Sequence, residues 1–284
     1  MPELPEVETL RRDLLPVVVG RRFTSVSATG VRSVRRSTPS NFEAALTGAL
    51  VIGIDRHGKY LLVRLAGGGL GAAGVPDDSS RTLVMHLRMS GQVLLAPSGS
   101  TGVDEPLHTH VRLGLDDSTQ LWFVDPRTFG ELWVTPGVGR PAELAHLGPD
   151  AWVDGLPPWP RTRRVGVKGV LLDQGYVAGI GNIYADEICH RAGVRVDRSA
   201  AQLTRPAFAR LHSATADVLD EAVTARGSTL GDGQYVDLLG RVGGFGLRHR
   251  VHARAGQPCL GCGKAIDRLV VAGRSAYQCR SCQR

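Results

Sequence analysis

Cys259, Cys262, Cys279 and Cys282 form two C-x-x-C pairs separated by 16 residues. Two such knuckles bring four thiolates into a tetrahedron, the closed shell that zinc takes where its role is structural. Four reduced structural cysteines or an iron site are the other readings this spacing admits. With sulfur on every corner no position remains for a substrate, so a metal held here supports the fold and takes no part in turnover. The fifth cysteine, Cys189, stands alone in a helical stretch and reads as a small buried apolar side chain.

The opposite end offers different chemistry. The chain opens Met1-Pro2-Glu3-Leu4-Pro5-Glu6-Val7-Glu8. If Met1 is removed, Pro2 presents a secondary amine at the start of a helix. Such an amine condenses with a sugar aldehyde carbon to an iminium without losing a further proton. The positive end of the helix disfavours protonation of that amine, and Glu3 and Glu6 lie close enough in sequence to carry protons or to orient it. The same residues also make an ordinary helix start, with proline near the first position and glutamate complementing the dipole. These residues alone leave both readings open.

The elements that must position these groups follow from periodicity. Residues 3–15 read as a helix, because Leu4, Val7, Leu10 and Leu14 recur at three and four while arginines take the other face; Pro16 and Gly20 end it. From Arg22 to about Thr135 the pattern is one of short strands, at 50–54, 60–65, 82–87, 92–95, 110–115 and 120–124, as in a β-sandwich or barrel. Gly-, Ser-, Pro- and Asp-rich stretches at 66–80 and 96–107 read as exposed loops. A proline-rich connection leads to helical sequence. One helix covers 183–191, entered through Gly179-Ile180-Gly181-Asn182, a turn able to aim amides at a phosphate. A second starts at the N-cap Thr204 and runs to about Ala225, with Phe208, Leu211, Val218, Leu219 and Ala222 as its buried stripe and Gly227 at C′. Residues 269–272 and 275–278 suit a hairpin with Gly273 and Arg274 at its tip. An arginine there either enters a nucleic-acid groove or is merely solvated, and its position does not choose.

Of the 284 residues 42% are hydrophobic and 21% charged, and no apolar run approaches the roughly 20 residues of a membrane span. The acidic start is neither a secretory signal nor a transit peptide, so the protein is expected in the cytoplasm, where paired cysteines bind metals more often than they form disulfides. The net charge of +7 is concentrated: between Arg241 and Arg284 there are nine Lys or Arg residues against one acid, Asp267. That distribution favours a phosphate backbone as partner.

Together, Pro2-Glu3-Leu4-Pro5-Glu6-Val7-Glu8, Asp125-Pro126-Arg127-Thr128-Phe129-Gly130, Gly181-Asn182-Ile183-Tyr184-Ala185-Asp186-Glu187 and the cysteine quartet resemble the bacterial formamidopyrimidine-DNA glycosylases, over nearly the whole chain. The resemblance implies an α+β multidomain fold. A helix-led β-sandwich catalytic domain would cover 1–136, a linker 137–164, a helix-two-turn-helix domain 165–245 and a four-cysteine zinc finger on a β-hairpin 246–284. It implies one structural Zn2+, damaged double-stranded DNA as partner, no membrane, and action as a monomer.

By the same resemblance, Pro2 attacks C1′ of an oxidised purine nucleotide, 8-oxoguanine or a formamidopyrimidine, flipped from the duplex, with Glu3 as the acid. The Schiff base then supports β- and δ-elimination. Lys59, in Arg56-His57-Gly58-Lys59-Tyr60, joins the catalytic set, and with His86, Asn182 and Arg274 it aligns with phosphate-binding positions around the lesion. Lys168 aligns with another pocket lysine, and Glu6 and His110 complete the DNA-binding set. Base flipping calls for a plug, which maps to Met89 in His86-Leu87-Arg88-Met89-Ser90-Gly91, to Arg127 and to Phe129. Residues 227–235 align with a loop that covers the everted base. The chain departs from the family pattern at Arg88, where Gly is usual, at Thr128, where a basic residue is usual, and at Gly169, where Pro is expected. A pyrimidine-preferring endonuclease VIII type, which usually begins Pro-Glu-Gly-Pro, fits less well because of Leu4. A zinc-ribbon DNA-binding protein without activity is the remaining alternative.

Overall fold

The computed structural model describes residues 2–29, 32–67, 80–97, 105–230, 233 and 235–284; the loops expected at 66–80 and 96–107, and part of 227–235, fall largely outside them. The chain divides into two compact units. The first holds Pro2, Glu6–Ala145 and Thr229–Gly243, and the second Glu3–Pro5, His146–Ser228 and Gly244–Arg284.

Helix α1 (Leu4–Val18) leads. It is followed by β1 (Phe23–Ala28), α2 (Pro39–Leu46), β2 (Leu50–His57), β3 (Tyr60–Ala66), β4 (Arg81–His86), β5 (Gln92–Leu95), β6 (Thr109–Leu115), β7 (Gln120–Val124) and β8 (Glu131–Pro136). The strands form two four-stranded antiparallel sheets, in the orders β1-β6-β7-β5 and β2-β3-β4-β8. Phe23, Val111, Leu113 and Phe123 from one sheet and Val51, Leu61, Val63, Leu83 and Leu132 from the other enter one core, together with Val7, Leu10, Leu14 and Val18 of α1. This is a β-sandwich with a leading helix. Full burial of each such side chain is worth about 1.5–3 kcal/mol.

Three elements of this unit, β1, β8 and α2, were not expected from the sequence, nor was the short helix at Val167–Leu171 in the other. Helix α2 starts on a Thr38 cap, whose Oγ1 accepts the Asn41 N–H, and buries Phe42 and Leu46. Pro16 does not end α1 but lies inside it. In the last turn a proline removes only one N–H and its φ already suits the helix. Gly20, at φ +84, then turns the chain.

One buried ion cluster braces α1 against the sandwich. Glu8 receives Arg11, through Nε at 3.0 Å and Nη2 at 2.9 Å, Arg12 Nε at 2.9 Å and Arg56 Nε at 3.1 Å. Burial pushes the Glu8 carboxyl up, but the guanidinium groups outweigh it and hold it below the usual glutamate value. Arg56 also donates from Nη1 to the Gly58 carbonyl at 2.9 Å, inside the two-residue turn between β2 and β3. Gly58 has φ +56, which glycine takes without steric cost.

The second unit contains α3 (Val167–Leu171), α4 (Asn182–Arg191), α5 (Arg205–Thr224) and the hairpin β9 (Asp267–Val271) with β10 (Arg274–Gln278). Helix α4 packs against α3, α5 and β10. The N-cap Thr204 of α5 accepts the Ala207 N–H, while Phe208 is only half-buried in the expected stripe. The helix ends in a Schellman motif, with Gly227 N–H to the Ala222 carbonyl at 2.8 Å and Arg226 N–H to that of Val223 at 3.0 Å. The C′ residue is therefore Arg226, at φ +63, and Gly227 follows it at φ +78. At the hairpin tip both Ala272 and Gly273 have positive φ, as a type I′ turn requires. Arg274 is thus not in the tip but opens β10, opposite Val271. No helix among the described residues is long and apolar enough to cross a membrane.

Candidate active site and metal centre

In the second unit the decisive contact is made by Glu3, which is 1% exposed. Its Oε2 accepts the N–H of Gly181 at 2.8 Å and of Tyr184 at 3.4 Å, and its Oε1 that of Ile183 at 2.9 Å. The amides expected to face a phosphate therefore hold an internal carboxylate, at the end of α4 whose dipole favours an anion. A Cβ on Gly181 would lie 2.3 Å from the Glu3 carboxyl carbon, so only glycine leaves room. Gly179 accepts the Leu4 N–H at 3.1 Å, and a Cβ there would strike the Leu4 side chain at 2.4 Å. Both glycines of the Gly179-Ile180-Gly181 turn are thus fixed by close approach to the start of the chain.

Asn182 opens α4, and its buried Oδ1 has no hydrogen-bond partner among the described residues. Arg274 is exposed. Lys168 is placed otherwise than expected for a DNA contact. It has no exposed surface, and its Nζ is held by Asp186 Oδ1 at 2.7 Å and the Ser275 carbonyl at 2.9 Å. Asp186 also faces His252 Nδ1 at 2.8 Å, and Glu187 accepts the amides of Arg250, Val251 and His252. Buried charges persist only when paired in this way. Lys168 therefore ties α3 to α4 and to β10, the strand that carries Arg274.

The four cysteine sulfurs lie within 4.8 Å of one another, with Cys259 to Cys282 at 3.8 Å and Cys262 to Cys279 at 3.4 Å. A tetrahedron with sulfurs about 2.3 Å from its centre has edges of about 3.8 Å, so the quartet fits a metal ion. His190 Nε2 stands 3.8 Å from Cys259 Sγ, beside the shell. Cys189 is fully buried, and burial pushes its thiol well above the ordinary value.

In the first unit Pro2 and Glu6 are buried. Lys59 occupies the β2–β3 turn and is 8% exposed. His86 closes β4 and packs against the Tyr60 ring at 4.4 Å. Its Nδ1 accepts the Arg88 N–H at 3.0 Å, leaving Nε2 to carry the proton. Burial, reinforced by the charges of Arg88 and Lys59, lowers its pKa to about 3, so the ring is neutral. His110 is engaged through Nε2 by the Asp125 carbonyl at 2.9 Å. Met89 and Phe129 are 39% and 44% exposed, and the Arg127 guanidinium lies 4.8 Å from the Phe129 ring centre.

A family model, the formamidopyrimidine-DNA glycosylase N-terminal domain, matches residues 1–132, and the H2TH domain of the same glycosylases matches 156–233. The chain belongs to the formamidopyrimidine-DNA glycosylase family. It is 40% identical to the formamidopyrimidine-DNA glycosylase of Corynebacterium jeikeium (strain K411), with all of both chains covered. Among solved structures it is similar to the MutM (Fpg) protein of Thermus thermophilus, with 38% identity, TM-score 0.82, and 99% of this chain and 98% of that one covered. It is also similar to the Lactococcus lactis Fpg in complex with DNA containing an abasic site, with 29% identity, TM-score 0.84 and both chains fully covered.

Arg88, one of the departures from the family pattern, stands beside Met89 and is exposed. Its guanidinium turns to Glu131 Oε1 at 3.1 Å, at the head of β8. Arg88 and Thr128 each adopt φ +53, a region costly for a side chain and worst for a β-branched one. Two groups escaped the sequence reading although both lie within motifs it used. Asp125 and Ser90 are buried and bonded to each other at 2.5 Å. Nothing in their local sequence marks that contact.

Proposed function

We propose that this member of the formamidopyrimidine-DNA glycosylase family is a bifunctional DNA glycosylase and abasic-site lyase for oxidised purines in duplex DNA. The observation that carries the reading is the placement of Glu3 on the α4 amides, because it fixes a carboxylate one residue from the Pro2 amine. Removal of Met1 frees that amine. Its lone pair attacks C1′ of the everted nucleotide, the bond from C1′ to the damaged base breaks, and the base leaves with the proton that the amine gives up. Opening of the sugar ring then gives an iminium and leaves O4′ in need of a proton, which Glu3 is placed to carry as the acid. The iminium withdraws electrons from C2′, so that loss of a C2′ proton expels the 3′ phosphate and a second elimination expels the 5′ phosphate.

Lys59, His86 and Asn182 supply donors for the phosphates that flank the lesion, and Arg274 a cation. The neutral His86 acts through its Nε2–H, as a hydrogen-bond donor and not as a charge. Met89, Arg127 and Phe129 enter the duplex where the base has left, the first and third as apolar wedges and the arginine toward the orphaned partner base. The cysteine quartet holds one zinc ion that keeps the β9–β10 hairpin folded. Leu4 supports oxidised purines over oxidised pyrimidines. The protein is expected to work as a monomer in the cytoplasm.

The experiment is a nicking assay on duplexes that each carry one lesion. Cleavage is expected opposite cytosine for 8-oxoguanine, with phosphate left at both ends of the gap, and much slower cleavage for an oxidised pyrimidine. Equal or faster cleavage of the pyrimidine substrate overturns the purine assignment, and binding without any cleavage overturns the enzymatic one. Arg274→Ala is expected to weaken binding alike across sequences and to reduce the slope of log K against log salt by about one unit. An unchanged slope, measured by fluorescence anisotropy over a salt series, removes Arg274 from the phosphate contacts.

A further inference from the structure

The three residues assigned to the plug come from two separate loops of the first unit. Met89 lies between β4 and β5, and Arg127 and Phe129 lie between β7 and β8. One side chain joins the two loops. Asp125 has no exposed surface. Its Oδ1 accepts Ser90 Oγ at 2.5 Å and the Arg127 N–H at 3.2 Å, and its Oδ2 accepts the Gly130 N–H at 2.6 Å. Its backbone carbonyl accepts the Thr128 N–H at 3.2 Å and meets His110 Nε2 at 2.9 Å. The carboxylate therefore reaches the residue after Met89 in one loop and the residues on both sides of Thr128-Phe129 in the other.

The ring of Phe123 lies beneath both loops. A Cβ on Gly130 would lie 2.5 Å from Phe123 Cζ and 3.0 Å from Asp125 Oδ2, and one on Gly91 would lie 2.6 Å from the Leu87 carbonyl and 3.1 Å from Phe123 Cζ. Each loop thus closes with a glycine pressed onto the same ring. Each also places a residue of unfavourable backbone immediately before its wedge, Arg88 before Met89 and Thr128 before Phe129, both at φ +53. Such backbone persists only where surrounding bonds over-determine it: in the second loop Asp125 supplies three of them, and in the first its bond to Ser90 adds to those of Arg88 N–H with His86 and Gly91 N–H with the Leu87 carbonyl.

We propose that Asp125 is a positioning residue that holds Met89, Arg127 and Phe129 as one preorganised wedge, without itself touching DNA. This rests on the plug assignment made above. A wedge whose parts are already aligned spends no binding energy on ordering two loops as it enters the base stack. Loosening the carboxylate should therefore slow eversion of the base far more than the chemistry that follows. Asp125→Asn keeps the volume but replaces one acceptor oxygen by an NH2 group that confronts a donor. Ser90→Ala removes one bond to the same carboxylate and serves if the first variant folds poorly.

The test follows base eversion by stopped-flow fluorescence of 2-aminopurine next to the lesion, and in parallel measures single-turnover cleavage of the same lesion and of a preformed abasic site. Both variants are expected to slow eversion and lesion excision by roughly 10- to 100-fold, as small misplacements of positioned groups do. Abasic-site cleavage should change by less than about threefold, because no base has to be unstacked there. Equal losses on both substrates would make Asp125 merely structural and overturn the proposal. Phe129→Ala and Met89→Ala are run beside them. If these leave eversion untouched, the plug assignment is at fault and the proposal falls with it. If they slow eversion while Asp125→Asn and Ser90→Ala do not, the plug stands and the positioning role alone is refuted.

Discussion

Borohydride added to the native protein and a duplex with one oxidised guanine will leave a covalent protein–DNA adduct, and a form extended by residues ahead of Pro2 will leave none. The reason is the chemistry of a secondary amine. Its condensation product with C1′ has no N–H to lose and so stays cationic, which makes it both the electron sink for elimination and the species that borohydride reduces. Amide formation at Pro2 removes the lone pair altogether. Oriented intramolecular nucleophiles reach effective molarities on the order of 10⁵ M or more, so the extended form should lose at least roughly 10³-fold in single-turnover excision. Pro2→Gly retains an amine, but a primary and more flexible one, and should trap weakly. Intact mass, read on the same samples, reports whether Met1 is present. Trapping that is undiminished in both variants, or excision by protein that retains Met1, would remove Pro2 from the mechanism.

Stripping the metal from the cysteine quartet should have an effect of comparable size on binding. The apolar core of the finger is small: its buried cluster consists of Val251, Cys259, Ile266 and Cys279, two of them cysteines, and the segment is otherwise held by polar contacts such as Lys168 Nζ to the Ser275 carbonyl and Gln283 to the Val194 carbonyl. The exposed pair Arg280–Asp267, at 2.8 Å, adds at most about 1 kcal/mol. Structural zinc in small fingers contributes about 10–16 kcal/mol of apparent binding energy, far more than this cluster supplies. Chelation should therefore unfold the hairpin and displace Arg274, and DNA affinity should fall by at least roughly 100-fold as the cations of this segment lose their arrangement. The sandwich has its own core and should stay folded, with its β-type circular dichroism retained. Metal-free protein, verified by elemental analysis, that binds DNA with unchanged Kd would show that the quartet has no structural role in recognition.

How much of this was legible in the sequence depended on whether a feature is local. The four-cysteine cluster was fully visible, because its members are paired within single knuckles. The sandwich was visible as period-two strands, and α5 as an amphipathic stripe behind a threonine cap. Boundaries set by backbone geometry were less so. Pro16 reads as a stop yet lies within α1, and Gly227 reads as the C′ residue although Arg226 takes that conformation. In each case neighbouring packing and hydrogen bonds outweigh the local preference.

Residue types and spacing name the candidate groups: a proline that would carry an amine next to carboxylates, four thiols and a cluster of arginines. Which of them are engaged by buried partners is settled by the fold. Glu3 meets the amides of residues 178 to 181 positions away, Lys168 is consumed by an ion pair with Asp186, and Asp125 gathers two loops whose link no periodicity records. Spacing along a chain reports which face of an element is apolar, because that is a property of neighbours. A buried polar atom must instead find its partner wherever the fold brings one, and that choice is made in space.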